Sequence, residues 1–192
     1  VFFRSSTVNA NAIIFEWASS SKLIGCEYIG FANGVYMKNT YALIVDKCGF
    51  IGCTNSGIQS ETLGHHLTVI ASQFSGCNKD IYYREQAHNL SLYGVDMEAG
   101  VSCIVLDKGG TAVNINGCYI EGKTAQSFVF GMPVVGFSME GSWFGYNALQ
   151  TWTNISGGSM SNNTYWDQNQ VIGSSCSDLD VGANSFNGTS VR

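Results

Sequence analysis

A three-residue figure returns at nearly constant spacing along the chain. It reads Cys26-x-Tyr28-x-Gly30, then Cys48, Phe50, Gly52, then Ser72, Phe74, Gly76, then Val95, Met97, Ala99. It continues as Cys118, Ile120, Gly122, then Gly141, Trp143, Gly145, then Asn163, Tyr165, Asp167, and ends as Asn184, Phe186, Gly188. The steps between first members are 22, 24, 23, 23, 23, 22 and 21. Three residues ahead runs a second ladder, Leu23, Val45, Val69, Leu92, Ile115, Ser138, Met160 and Val181, apolar at seven of eight positions. A third holds Val35, Ile58, Ile81 and Ile104, each 23 apart, with Phe128 continuing it one residue late. Units this short cannot enclose a core alone, so they must stack on one another.

Each unit has room for three short strands. Inside and outside positions alternate in pieces such as Val35-Tyr36-Met37 and Ile81-Tyr82-Tyr83. Gly25, Gly94, Gly117 and Asn162, just before the first member, suit a bend at positive φ. A single Pro among 192 residues fits strands that need every N–H. No segment shows a sustained 3.6-residue period. The expectation is an all-β solenoid, one domain over residues 1–192, with about eight turns of 21–24 residues. From about Ile13 to Gly188 the pattern resembles the right-handed parallel β-helix shared by pectin and pectate lyases, polygalacturonases and phage tailspikes. A leucine-rich repeat would show a fixed Asn and a Leu-x-Leu core in each unit, and neither recurs.

Composition narrows the partners. Charged residues make up 12% and the net charge is −5, so the chain is poorly suited to phosphate backbones or anionic membranes. The longest apolar stretch, Ser127 to Phe137, is broken by Gly131 and Pro133, and no membrane insertion is expected. Val1 is not an initiator Met and no basic signal segment follows, so the chain reads as a fragment of a longer one or a processed chain. No CxxC occurs and the three His are not spaced for zinc, so neither metal nor cofactor is expected. Seven Cys cannot all pair. Cys26, Cys48 and Cys118 share one position in the repeat, and Cys53 and Cys77 share another. Buried reduced thiols are the expectation, with Cys53 and Cys77 a pair that adjacent rungs bring within reach of bonding distance.

In a parallel stack, equivalent residues of neighbouring turns lie about 4.8 Å apart and form rows. The row Tyr28, Phe50, Phe74, Met97, Ile120, Trp143, Tyr165, Phe186 is expected to stack inside. Lys38, Glu61, Arg84 and Asp107 alternate in sign and read as a surface ladder. The row Ile29, Ile51, Ser75, Glu98, Glu121, Phe144, Trp166, Asn187 is expected to point outward. It stacks two like charges, Glu98 and Glu121, with Asp96 on the same face. Stacked carboxylates repel unless a cation, a shared proton or a ligand compensates. Acids beside aromatic rings are what a glycan site offers, acids for proton transfer and rings for stacking. The candidate catalytic residues are therefore Asp96, Glu98 and Glu121. Tyr119, Phe144 and Trp166 are the candidate substrate-binding residues.

Polygalacturonases carry a paired Asp-Asp and a Gly-His-Gly, and neither string occurs. His65-His66 is assigned to a turn between strands. Pectate lyases use clustered Asp for calcium and an Arg base, whereas the Arg here are Arg4, Arg84 and Arg192, with Arg84 taken up by the charge ladder. The chain most resembles a bacteriophage tailspike or tail-fibre β-helix. That resemblance implies a homotrimer in the virion, assembled in the host cytoplasm, that binds bacterial surface polysaccharide and cleaves it as a glycosidase or lyase. A non-catalytic structural or adhesin shaft is the alternative, and a secreted microbial polysaccharide lyase or hydrolase is another.

Overall fold

A computed structural model describes residues 1–5, 9–62, 64–166 and 170–187. Its described residues form 25 strands and no helix. The strands stack in parallel as a β-solenoid of about eight turns. Three sheets run along it. The nine-stranded sheet begins at Phe2–Arg4 and ends at Ser185–Asn187, taking every third strand up to Trp143–Gly145 and beyond. An eight-stranded sheet runs from Ser21–Ile24 to Ser177–Val181, and a six-stranded sheet from Asn11–Glu16 to Phe128–Phe130. The third wall then breaks before the two-stranded sheet of Gln150–Trp152 and Gln170–Ile172. The Gln150 side chain closes the break. Its Oε1 accepts from the Phe128 N–H and its Nε2 donates to the Phe128 carbonyl, both at 3.0 Å.

The tube is lined on this wall by the middle residue of each strand of the nine-stranded sheet. Phe3, Tyr28, Phe50 and Phe74 stack at 5.3, 5.2 and 4.7 Å between ring centres, and Phe144, Tyr165 and Phe186 stack at 5.0 Å per step. The register corrects the sequence reading at the sixth turn. Ile120 pairs with Phe144, and Tyr119 pairs with Trp143. Phe144, expected on the outer face, is 1% exposed and lies in the core, and Trp143 takes the outer place. Likewise Met139, not Ser138, continues the apolar ladder from Ile115. The cause is one extra residue between Ala125 and Phe128. Ala125 still bonds back to Val101, 24 positions earlier, as its predecessors do, whereas Phe128 pairs with Ile104 one residue late. The slip persists through Phe144 and is undone by the short step of 21 to Tyr165.

The bend before each first member is a left-handed residue in all eight turns: Gly25, Lys47, Ala71, Gly94, Gly117, Gly141, Asn162 and Ala183, with φ between 30° and 61°. Three side-chain-bearing residues other than Asn therefore hold a conformation that favours glycine. Next to the bend, side chains brace one turn against the next. Ser72, Ser142, Asn163 and Asn184 each accept, through a side-chain oxygen, the backbone N–H of the equivalent residue one turn earlier, at 2.9–3.1 Å.

The outer ladders follow the register. Glu16 extends the charged row, pairing with Lys38 at 2.8 Å, and Arg84 pairs with Glu61. Asp107 accepts from the Tyr82 hydroxyl at 2.7 Å. All seven Cys are free. His65 is not in a turn. It lies in the strand Gly64–Ile70, its ring stacked between Tyr41 and His88 at 5.3 and 4.9 Å.

Candidate functional site

The outward residues of the nine-stranded sheet form two rows, because the middle residue of each strand points in and its neighbours point out. One runs Glu27, Gly49, Gln73, Asp96, Tyr119, Trp143, Thr164. The other runs Ile29, Ile51, Ser75, Glu98, Glu121, Gly145, Trp166. Adjacent strands Asp96–Glu98 and Tyr119–Glu121 thus bring four of the candidate residues together, with Asp96 opposite Tyr119 and Glu98 opposite Glu121. Trp166 lies two strands further on the same face and is 40% exposed. Phe144 does not join them. Trp143, read from the sequence as core, does.

Hydrogen bonding separates the acids. The Tyr119 hydroxyl donates to Glu121 Oε2 at 2.9 Å. That bond, more than burial and the surrounding carboxylates, pushes the Tyr119 phenol up to about 12. The phenol is neutral at ordinary pH and serves as a fixed donor to the Glu121 carboxylate. Asp96 is half-buried, and its Oδ1 is buried with no hydrogen-bond partner among the described residues. Burial, then Glu98 and Glu121, push its carboxyl above the usual carboxylate range, while Lys123 works the other way. Asp96 is the acid that its surroundings drive toward the protonated form.

The rings are arranged differently from the sequence expectation. Tyr119 and Trp143 stack on each other at 4.6 Å and 4°. A Cβ on Gly145 would lie 2.0 Å from Trp143 Cη2, so only glycine there lets the indole lie across the next position of its own strand. Stacking along the solenoid axis uses the facing surfaces of both rings and turns their edges outward. On the other side of the indole the residue in register is Thr164. Tyr119 therefore acts on the site through its hydroxyl, while Trp143 keeps one face clear of its ring partner.

Beneath this face lies a feature with no counterpart in the sequence reading. The aromatic stack is interrupted at Met97 and Ile120, on the two strands that carry the acids. A neighbouring inward position, Gly34 and Gly57 in earlier turns, is Asp80, Cys103 and Ser127 in later ones. A Cβ at Gly34 or Gly57 would meet the Phe50 or Phe74 ring at 2.5 Å, so those turns require glycine. Where the rings stop, polar side chains fill the space. Asp80 Oδ2 and Lys123 Nζ form an ion pair at 2.6 Å with both side chains 0% exposed. Lys123 also donates to the Ala99 carbonyl. Burial pushes the Asp80 carboxyl up to about 7 against the pull of Lys123. Burial pulls the Lys123 ammonium down, but Cys103 and Asp80 outweigh it and its pKa is raised. One signal was legible: an acid stands at a position that is glycine two turns running. Lys123 gave no such signal.

Towards the first turns the same face is hollow. Gly49 has no side chain between Glu27 and Gln73, and a groove of about 350 Å³ opens there, bordered also by Lys47 and Cys48. Among the described residues no group of three His, Cys, Asp or Glu is placed to hold a metal ion.

In comparison with known proteins, no family model, no curated protein and no solved structure matches the chain.

Proposed function

We propose that the nine-stranded face binds an extended polysaccharide laid along the solenoid axis and cleaves it by acid-assisted hydrolysis. The observation that carries this reading is the asymmetric acid group. Asp96 is driven toward the protonated form, while Glu121, one strand away, receives a hydrogen bond from Tyr119. Two carboxyl groups with opposed environments are what proton donation and nucleophilic or base assistance require. Asp96 is the proton donor, Glu121 the carboxylate partner, and Glu98 the neighbour whose charge adds to burial in raising Asp96. Trp143 and Trp166 supply ring contacts beyond the acids, and the groove at Gly49 receives the chain on the other side. At the ~4.8 Å strand spacing, the five steps from Gly49 to Thr164 span roughly 24 Å. The tailspike resemblance points to a bacterial surface polysaccharide as substrate and to a homotrimeric assembly.

The shaft reading has one observation in its favour: Tyr119 and Trp143 stack on each other, as ladder residues do. Incubation with a panel of capsular and O-antigen polysaccharides separates the two. Oligosaccharide release is expected from the wild-type protein, with Asp96→Asn and Glu121→Gln each reducing the rate by about 10²–10⁴-fold, the usual contribution of a positioned acid or base. Trp166→Ala is expected to weaken binding without abolishing cleavage. Full activity in both acid variants places the chemistry elsewhere, and no binding of any glycan leaves the shaft.

A further inference from the structure

Five of the seven Cys are buried, and the glycan site uses none of them. Two are arranged unlike the rest. Cys26, Cys48 and Cys118 each donate to the carbonyl two residues earlier in their own turn, Ile24, Asp46 and Asn116, at 3.5 Å. Cys53 and Cys77 form a separate row, in which Cys77 Sγ donates to the Phe50 carbonyl of the preceding turn at 3.5 Å and reaches the Ser75 carbonyl only at 4.0 Å. They occupy equivalent positions of adjacent turns, fixed by the bond from the Asn78 N–H to the Cys53 carbonyl at 3.0 Å. Neighbouring parallel strands stand about 4.8 Å apart, inside the roughly 4.4–6.8 Å between Cα atoms that a disulfide spans. The next residue of the row is Gly100, whose backbone packs directly against that of Cys77.

We propose that Cys53 and Cys77 are an oxidative modification site, a thiol pair that closes an inter-turn disulfide when a peroxide reaches it. The Cys53 thiolate attacks one peroxide oxygen, the O–O bond breaks, and water leaves after taking up a proton, giving the sulfenic acid. Cys77 sulfur then attacks Cys53 sulfur, the S–O bond breaks, and a second water leaves with the Cys77 proton. Two thiols lose two electrons and one peroxide gains them. The order follows from the pair itself. The Cys77 side chain beside it draws the Cys53 thiol down, whereas Cys53 and burial push Cys77 up, so Cys53 is the attacking sulfur and Cys77 the resolving one.

The test treats the protein with hydrogen peroxide, alkylates the remaining thiols after unfolding, and cleaves after Glu61, which separates the two Cys. Five alkylated Cys of the seven are expected, with a mass lower by two hydrogens and the peptides bearing Cys53 and Cys77 joined. The guanidinium midpoint should rise on oxidation. Cys48→Ser should still bridge, and Cys53→Ser should neither bridge nor gain stability. Seven alkylated Cys, a sulfinic acid on either residue, or a bridge through any other pair overturns the proposal. The wild-type peptide map decides the matter even where a variant fails to fold.

Discussion

At the scale of single residues, the departures from a plain repeat concentrate on two adjacent turns. Met97 and Ile120 replace rings inside, Asp80 and Lys123 form an ion pair beneath, and Asp96, Glu98 and Glu121 gather outside. Burying a charge pair gains little over apolar packing, because desolvation offsets the attraction, but removing one partner is costly. Asp80 makes the pair sensitive to pH. Its carboxyl loses its proton at about 3.8 in the ordinary case and at about 7 when folded. Across that window the folded chain holds a proton that the unfolded chain has released. Stability from this group is complete below the ordinary value and declines as pH rises through about 7, by at most about 1.4 kcal/mol per pH unit. Asp96, raised in the same direction, adds to the decline. Asp80→Asn should flatten the fall between pH 4 and pH 7. Guanidinium midpoints at both ends of that range measure it, and equal slopes in variant and wild type would remove Asp80 as the cause.

At the scale of elements, the bends are uniform in conformation and mixed in sequence. Lys47 and Ala71 hold φ of 54° and 45°, where glycine sits in the equivalent bends at Gly25, Gly94, Gly117 and Gly141. A non-glycine residue in this region costs about 1–3 kcal/mol. Ala71→Gly relieves that strain and gives back roughly 0.5–1 kcal/mol through the freer unfolded chain. A net gain of about 1 kcal/mol is expected from chemical denaturation, since Ala71 is exposed and packs little. A loss on substitution would mean that the alanine methyl is held by contacts that outweigh the strain. The inward residue of the strand that follows was legible at this scale in seven of eight copies, Trp143 being the exception. The late arrival of Phe128 was also legible. Carrying that one-residue delay forward would have placed Phe144 inside and Trp143 outside, because a shift of one residue exchanges the two faces of a strand.

At the scale of the whole molecule, the tube has a dry inside and a patterned outside, and neighbouring positions belong to different worlds. Phe74 is 0% exposed and stacked on Phe50, while Gln73 beside it faces out. Phe74→Ala should cost about 3–5 kcal/mol through the cavity it leaves, and Gln73→Ala no more than about 0.5 kcal/mol. Similar midpoints for the two variants in denaturant would contradict the assignment of faces. Because each turn touches only its neighbours, the larger loss should appear as early hydrogen exchange in the turns around Phe74.

The sequence by itself determined the parallel stack, its period, the inner row except at Trp143 and the meeting of Asp96, Glu98, Tyr119 and Glu121, since a fixed repeat in a parallel sheet puts equivalent residues side by side. It also pointed to thiols rather than a closed disulfide framework, through the odd count of Cys. Only the tertiary structure decided what depends on register and on depth. The slip after Ala125 exchanged Trp143 with Phe144; the late Phe128 marks where it begins, but only the pairing of Ile120 with Phe144 shows that it persists into the next strand. Tyr119 turned from a stacking surface into a hydrogen-bond donor, because side-chain direction within a row depends on the neighbours of both turns. The Asp80–Lys123 pair joins residues 43 apart in the chain, brought together where two smaller core side chains leave space between rings. Periodicity sets which residues become neighbours along the axis, and only packing across the tube determines which side chains meet through its middle.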